Sequence, residues 1–170
     1  MKDKTQRYPL PKVSDIMSRK LTAFTPDFTT IDALKTFNKL RIAAAPVVKD
    51  DNSNEILGFV TDTDCMDAIA NNSFFDDFRV TQLSSVMKTD IKTVKEDLNL
   101  YEVESFFKDN HLRHCPVINE DGHLVGMLSR RDILIALEKI VDKMELHKEK
   151  KKTPISLTDM DKRRFSLMNR

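Results

Sequence analysis

The sequence predicts an α/β fold of the α+β type, built from two β-α-β-β-α repeats that are related by pseudo-twofold symmetry. The first observation is self-similarity: a shift of 70 residues aligns Met17 with Met87, and a shift of 68 aligns Gly58 with Gly126. The second is that apolar alternation and helical periodicity follow each other in the same order in both copies. The change of shift from 70 to 68 residues falls in a turn, where an insertion costs little. Its position therefore supports the alignment.

In each copy a short apolar cluster ends in Met and precedes an extended segment. An amphipathic helix follows, with apolar residues three and four positions apart. Two strands and a closing helix complete the copy, and the strands are expected to bury Val47, Val48, Val117 and Ile118. The extended segments are predicted at 21–24 and 91–94, the strands at 45–48, 56–60, 115–118 and 124–128, and the closing helices at 62–71 and 130–143.

The repeat also predicts the domain boundaries. We expect an N-terminal extension at 1–11, a first repeat at 12–71, a linker at 72–81, a second repeat at 82–143 and a basic tail at 144–170. Residues 143–170 carry nine basic and four acidic side chains. Two interpretations of this excess are open: a solvated helix end with a loose tail, or an electrostatic contact with an acidic partner or nucleic acid.

Composition excludes several classes of protein. The chain of 170 residues is 40% hydrophobic and 32% charged, and its net charge of +1 is too small for a broad nucleic-acid surface. Its apolar runs are far shorter than the roughly 20 residues of a membrane helix, and residues 1–7 lack the apolar core of a secretory signal. The only two cysteines fit a reducing compartment. We expect a cytoplasmic protein with neither membrane nor nucleic acid as a partner.

Three motifs recur in both copies. They are Val-Ser-Asp-Ile-Met17 and Leu-Ser-Ser-Val-Met87, Ala-Ala-Pro-Val-Val48 and His-Cys-Pro-Val-Ile118, and Gly58-Phe-Val-Thr-Asp-Thr-Asp64 and Gly126-Met-Leu-Ser-Arg-Arg-Asp132. With these motifs the chain resembles a tandem cystathionine-β-synthase (CBS) domain pair, also called a Bateman module, over residues 12–141. The resemblance implies the two-repeat fold, a regulatory role and an adenine-containing ligand.

A hydroxyl residue precedes a carboxylate by three positions at the start of each closing helix: Thr61 before Asp64, and Ser129 before Asp132. One interpretation is structural, because the hydroxyl can cap the helix while the carboxylate bonds back to the cap amide. The other is functional, because a helix N-terminus favours phosphate and a carboxylate one turn further can accept from ribose hydroxyls. CBS pairs typically use these positions in the second way.

The two copies offer unequal surroundings to an anion. Guanidinium groups suit phosphate oxygens, so we expect the second copy to be the stronger site. Where the second copy has Arg113, His114, Arg130 and Arg131, the first has Ala43, Ala44, Asp62 and Thr63. Three states are open for the first copy: empty, occupied by an uncharged nucleoside such as the adenosyl part of S-adenosylmethionine, or occupied by a phosphate that a cation neutralises.

The resemblance implies an adenine nucleotide of the AMP, ADP or ATP class, with S-adenosylmethionine and NADH as alternatives. Asp132 is expected to hold the ribose, and Ser129 with the adjacent helix amides the phosphate. The segment around Ile91 and the strand leading to Pro116 are expected to flank the base. The complete predicted site is Ile91, Thr93, Arg113, His114, Pro116, Ser129, Arg130, Arg131 and Asp132, and a weaker second site is Leu21, Pro46, Thr61 and Asp64.

The sequence indicates neither an enzyme nor a metal protein. Catalytic signatures such as Gly-x-Ser-x-Gly and Gly-rich phosphate loops are absent, and there are only three glycines. His111, His114, Cys115 and His123 offer zinc-binding atoms, but His114 and Cys115 are adjacent and face opposite sides of a strand. We therefore expect no catalysis, no metal and no cofactor beyond a regulatory nucleotide.

Partners are expected to be a second copy and a regulated protein. The family usually forms homodimers, and the closing helix carries Ile133, Leu137, Ile140 and Met144 at a 4-3-4 spacing. This stripe fits a short coiled-coil seam or packing within the repeat equally well. The alternative function is a scaffold that has lost ligand binding and acts through its basic C-terminal tail.

Overall fold

A computed structural model of the chain describes residues 9–50, 53–74 and 81–151. The order of its helices and strands confirms the α+β class that the repeat predicts. None of the described helices is both long and apolar enough to span a membrane. The elements are α1 (Val13–Ile16), α2 (Thr30–Leu40), β1 (Ala44–Val48), β2 (Ile56–Thr61), α3 (Asp62–Phe74), a 3-10 turn (Leu83–Ser85), β3 (Val94–Lys95), α4 (Leu100–Asp109), β4 (His114–Ile118), β5 (Leu124–Ser129) and α5 (Arg130–Lys151).

The two sheets differ in the length of their first strand. In the second repeat, β3 pairs in parallel with β4, which pairs in antiparallel fashion with β5. In the first repeat, β1 and β2 form the antiparallel pair, and the extended segment is reduced to one parallel bridge between Phe24 and Val47. Proline has no N–H to donate to a sheet. Pro26 stands where Glu96 donates its backbone N–H to Ile118, so the first repeat cannot extend this strand.

The two repeats exchange the segments that precede their first strands. We call residues 12–18 and 82–88 the exchanged segments. The backbones of Ser18 and Met127, in opposite repeats, bond to each other through two hydrogen bonds of 2.9 Å. Lys88 and Phe59 form the reciprocal pair, again with two bonds of 2.9 Å. Each sheet is therefore completed by a segment from the other repeat, and this reciprocity is the pseudo-twofold relation that the sequence predicts.

Glycine in β2 and β5 makes room for the methionine that ends each exchanged segment. A Cβ built on Gly58 would overlap Met87 Sδ and would lie 2.8 Å from Met87 Cγ and 3.1 Å from Met87 Cβ. A Cβ on Gly126 would overlap Met17 Sδ and approach the Ser18 carbonyl oxygen to 3.2 Å. The Met and Gly of each recurring motif are thus partners across the repeats, which alignment alone does not reveal.

The cores reflect this exchange. Leu83, from the second exchanged segment, is fully buried in a cluster with Phe24, Phe37 and Val47 of the first repeat. As expected from the sequence, Val47, Val48 and Val117 are buried. Ile118 was expected to be buried and is only partly so, because it lines two surface grooves, beside Glu96 and beside His123.

Contacts divide the chain into two units, Met1–Leu134 and Ile135–Arg170, and both sheets belong to the first. The four residues of the predicted stripe on the closing helix differ in exposure, and Ile140 is partly buried. Ile133 is 3% exposed, whereas Leu137 and Met144 are 39% and 45% exposed. Val141 is also exposed, so Leu137, Val141 and Met144 form the apolar stripe of α5 that faces solvent. The predicted tail begins within α5, and its residues 152–170 lie outside the described residues.

Substituting Gly58 tests the contact across the repeats. We expect Gly58→Ala to lower the free energy of unfolding by about 1–3 kcal/mol, because overpacking displaces Met87 and the exchanged segment that carries it. In a chain that already carries Met87→Ala, the same substitution should cost less, since most of the overlapping atoms are gone. Denaturant titration of the four chains measures this coupling. An equal cost of Gly58→Ala in both backgrounds would contradict the contact.

Candidate functional site

Two cavities lie within the first unit, beside the starts of α5 and α3. The first, which we call the Asp132 cavity, has a volume of about 500 Å³. The second, which we call the Lys88 cavity, has a volume of about 360 Å³. Each combines the start of one closing helix with the segment that begins at the end of the opposite exchanged segment. The exchange of segments therefore builds both cavities from two repeats.

The Asp132 cavity is strongly cationic. Its lining contains five Lys or Arg side chains and a single carboxylate, that of Asp132. The sequence predicted Arg113, Arg130 and Arg131 among these cations, and the structure brings all three together with Ser129 and His114. Lys20 and Arg41, from the first repeat, were missed. Lys20 follows the first exchanged segment and Arg41 ends α2, so both reach the start of α5 through packing between the repeats, which no local pattern in the sequence signals.

Arg41 has an unusual backbone that explains its position. It is the C-cap of α2 and adopts a left-handed conformation with φ of 54°. His111, its counterpart in the second repeat, has φ of 53° and lines the Lys88 cavity. Non-glycine residues rarely adopt positive φ, and such residues are concentrated at functional sites. The turns after α2 and α4 therefore each direct a polar side chain, Arg41 or His111, towards a cavity.

The start of α5 forms the capping arrangement that the sequence predicted as one interpretation. The backbone N–H and the hydroxyl of Ser129 both donate to Asp132 Oδ2, at 2.8 Å and 2.6 Å. The Asp132 amide donates in turn to Ser129 Oγ at 3.3 Å. Among the described residues, no cation lies within ion-pair distance of Asp132. Its Oδ1 atom is therefore left to accept hydrogen bonds from a ligand.

The start of α3 has the same capping arrangement but a different outcome. Thr61 donates its N–H and its hydroxyl to Asp64 Oδ2, at 2.9 Å and 2.6 Å. Here the other oxygen is occupied, because Lys88 Nζ lies 3.1 Å from Asp64 Oδ1. Burial acts to raise the pKa of Asp64, but the hydrogen bonds from Thr61 and Lys88 outweigh it. The pKa therefore lies below its ordinary value.

Three residues assigned to the stronger site lie elsewhere. Ile91 and Pro116 line the Lys88 cavity, with Thr61 and Asp62, and do not line the Asp132 cavity. The cause is the exchange of segments, which places the extended segment of one repeat beside the helix start of the other. Thr93 lines a separate groove with Glu55 and Asp121.

Three of the four residues predicted for the weaker site line neither the Asp132 cavity nor the Lys88 cavity. Asp64 is held beneath Lys88, with only 15% of its side chain exposed. Pro46 is fully buried in β1, and Leu21 is partly exposed. Of the predicted weaker site, Thr61 alone lines the Lys88 cavity.

Arg113 and His114 line both cavities and form part of the wall between them. Burial lowers the pKa of His114, while the carboxylates of Asp62 and Asp132 oppose this shift only in part. The imidazole is therefore mostly neutral at pH 7. The Arg130 guanidinium donates to the Leu112 carbonyl oxygen at 2.7 Å, and the Arg130 amide donates to the Arg113 carbonyl oxygen. These bonds fix the wall to the start of α5.

The cysteines do not take part in either cavity. Cys65 and Cys115 are fully buried, and burial raises their thiol pKa values to about 11 and about 12. Such thiols are protonated at neutral pH and are poor nucleophiles. Within the described ranges, no group of three or more His, Cys, Asp or Glu side chains is placed to hold a metal ion.

Comparison with known proteins agrees with this architecture. Residues 13–71 and 83–139 each match the model of the CBS domain. A CBS domain-containing protein of Dictyostelium discoideum is 29% identical over 137 residues, which cover 76% of this chain and 93% of that protein. An uncharacterized 17.7 kDa protein of Acidianus ambivalens is 29% identical over 126 residues, which cover 74% of this chain and 73% of that protein.

Among solved structures, that of the CBS-pair protein CBSX2 from Arabidopsis thaliana in complex with AMP superposes with a TM-score of 0.64. It is 25% identical, and the match covers 76% of this chain and 97% of CBSX2. Both repeats match the family model, and they face each other through the exchanged segments. The chain therefore belongs to the CBS-domain family, as a tandem pair.

Proposed function

We propose that the chain is a regulatory CBS pair without catalytic activity, which binds one adenine nucleotide in the Asp132 cavity and transmits its occupancy to a protein partner. The observation that carries this proposal is the open Oδ1 atom of Asp132 beside five cationic side chains. A carboxylate accepts hydrogen bonds from ribose hydroxyls, and cations neutralise phosphate. A ribose and a phosphate in one molecule define a nucleotide, and similarity to the AMP-bound CBSX2 supports adenine as its base.

Volume and similarity support the same ligand class. A cavity of about 500 Å³ lies within the range of small-molecule sites, about 300–1,000 Å³. CBSX2, which is similar over both repeats, has been solved with AMP bound. The excess of cations favours an anion over S-adenosylmethionine, whose sulfonium is positively charged. NADH is anionic, and it is a further ligand to be screened.

The cavity suggests a role for each group of side chains. Asp132 holds the ribose, as the sequence predicted. Apolar contact with the base is assigned to Ile42, Ala44 and Met127 in place of Ile91 and Pro116, because these three line the same cavity. The sequence assigned phosphate to Ser129 and the helix amides, but the Ser129 hydroxyl donates to Asp132, and the Arg130 and Asp132 amides already have acceptors. We therefore assign phosphate mainly to side chains. Those side chains are Lys20, Arg41, Arg113 and Arg131.

The scaffold alternative depends on the basic tail, of which residues 152–170 lie outside the described residues. No observation on the described residues favours it over ligand binding.

The two buried thiols suit a reducing compartment, and we place the protein in the cytoplasm.

Asp132 and Asp64 form a matched pair of substitutions. Both cap a helix with the same hydrogen bonds, but only Asp132 faces the cationic cavity with an open oxygen. In isothermal titration with AMP, ADP and ATP, Asp132→Ala should weaken binding by about 1.5–3 kcal/mol, more than about tenfold. Asp64→Ala should bind as the wild type does. In thermal-shift measurements, the nucleotide should stabilise the wild type and Asp64→Ala equally, and Asp132→Ala less at the same concentration.

Since both substitutions remove a helix cap, their unfolding temperatures without ligand should fall by similar amounts. Nucleotide binding that is unchanged in Asp132→Ala, or abolished only in Asp64→Ala, would show that the site has been assigned to the wrong repeat. A wild-type chain that binds none of the nucleotides would favour the scaffold alternative.

Replacing Arg41 should change nucleotide affinity without lowering the stability of the fold. Glycine adopts the left-handed conformation without strain, so Arg41→Gly should leave the fold equally stable or more stable, as thermal unfolding would measure. It should nevertheless weaken ATP binding about fivefold, the effect of losing ~1 kcal/mol from an exposed charge. Arg41→Lys, which keeps both the charge and the strained backbone, is the control. The loss should shrink at high salt, and a loss independent of salt would mean that Arg41 does not act through its charge.

We also propose a homodimer that pairs through α5. Leu137, Val141 and Met144 are spaced four and three residues apart, as in the a and d positions of a coiled coil. All three are exposed, with fractions of 39%, 51% and 45%. Exposed apolar stripes of this kind typically mark contact surfaces.

Light scattering tests the dimer. The wild-type chain should have the mass of a dimer at tens of micromolar, and the double variant Leu137→Glu/Val141→Glu should be a monomer. Lys139→Glu, at an exposed position outside the stripe, is the matched control and should remain dimeric. A wild-type chain of monomer mass would remove this proposal.

A further inference from the structure

We infer that the side chain at the end of each exchanged segment decides whether the adjoining cavity accepts a nucleoside: Lys88 closes the Lys88 cavity by taking Asp64, and Ser18 leaves the Asp132 cavity open. This inference rests on the proposed function, because it concerns the ribose-binding role of the two carboxylates. It assigns selectivity to two residues that lie outside the recurring hydroxyl–carboxylate motif.

Ser18 and Lys88 occupy equivalent positions in the fold. Each ends an exchanged segment, and each forms the same two backbone hydrogen bonds of 2.9 Å with a strand of the opposite repeat, through Met127 and Phe59. The carboxylates that they face are capped alike, with donor distances that agree within 0.1 Å between the two repeats. Backbone geometry therefore does not distinguish the cavities at this point. The two side chains do.

The lysine occupies the atom that a ribose would need. Asp64 Oδ2 accepts from Thr61, and Oδ1 lies 3.1 Å from Lys88 Nζ, so both oxygens are engaged. Serine at position 18 is too short to reach the equivalent oxygen, and its hydroxyl instead points to the Lys20 carbonyl oxygen at 3.4 Å. A ribose in the Lys88 cavity must compete with an ammonium group, and charge-assisted hydrogen bonds are stronger than those of neutral hydroxyls.

The ion pair also changes the charge available to a ligand. The Lys88 cavity is lined by Lys88, Lys92 and Arg113 but also by Asp62 and Asp90. Because Lys88 is paired with Asp64, the cations left for a phosphate are matched by carboxylates. The Lys88 cavity therefore lacks both the open carboxylate oxygen and the excess of cations that the Asp132 cavity offers to a nucleotide. Replacing Lys88 by a shorter, uncharged residue should restore the open oxygen.

Reciprocal substitutions test the inference. Both positions are exposed, so they can be changed with little effect on the core. Ser18→Lys should weaken AMP binding about tenfold or more in isothermal titration, although the added charge by itself would attract phosphate. Ser18→Met, of similar length but uncharged, is the control and should retain most of the affinity. AMP affinity that is unchanged in Ser18→Lys would overturn the inference.

The opposite substitution should open the second cavity. Adenosine is the probe, because it carries the ribose and no phosphate that Asp62 and Asp90 would repel. In a chain with Asp132→Ala, which disables the first cavity, Lys88→Ser should restore adenosine binding, and adding Asp64→Ala should abolish it again. A chain with Asp132→Ala and Lys88→Ser that binds no adenosine would contradict the inference.

A measurement without ligand separates this inference from the proposed function. Lys88→Ser should raise the pKa of Asp64 towards its ordinary value in a titration followed by NMR, because one of the stabilising hydrogen bonds is lost. A wild-type chain that binds no AMP refutes the proposed function. A pKa of Asp64 that is unaffected by Lys88→Ser refutes the lysine's hold on the carboxylate, whatever the chain binds.

Discussion

The exchange of residues 12–18 and 82–88 between the repeats is the constraint on which the rest of the structure depends. It supplies Leu83 to the core of the first repeat, and it places Met17 and Met87 against glycines of the opposite sheets. It also sets the composition of both cavities, because each helix start meets the extended segment of the other repeat. A change in either exchanged segment therefore affects both the packing of the opposite repeat and the lining of the adjoining cavity.

The duplicated pattern was sufficient to predict the fold, because apolar periodicity and the order of motifs are local properties of the chain. The capping of α3 and α5 by Thr61 and Ser129 was also predictable, since the hydroxyl and carboxylate are three residues apart. Both extended segments were predicted to begin too early, at residues 21 and 91, because pairing starts only at Phe24 and Val94. Beyond Phe24, Pro26 lacks the backbone donor that Glu96 supplies in the second repeat, so the first repeat forms one bridge where the second forms a strand.

The site was predicted less completely, for a physical reason. Arg113, Ser129 and Asp132 line one cavity, as expected, whereas Ile91 and Pro116 of the same repeat line the other. Lys20 and Arg41 are distant in sequence from the motif and become its neighbours only through the packing of one repeat against the other. Alignment of the two copies shows which residues are equivalent. It does not show whether a residue lies beside the hydroxyl–carboxylate motif of its own repeat or beside that of the opposite repeat.

The wall shared by the two cavities has a consequence for how they respond together. Arg113 has one guanidinium group, and it lines both spaces. A phosphate that draws this group to one side removes it from the other, so the free energy of filling one cavity depends on the state of its neighbour. Such a dependence is reciprocal by thermodynamic necessity. The common wall therefore couples the two cavities: a substitution that opened the second would also change the free energy of filling the first.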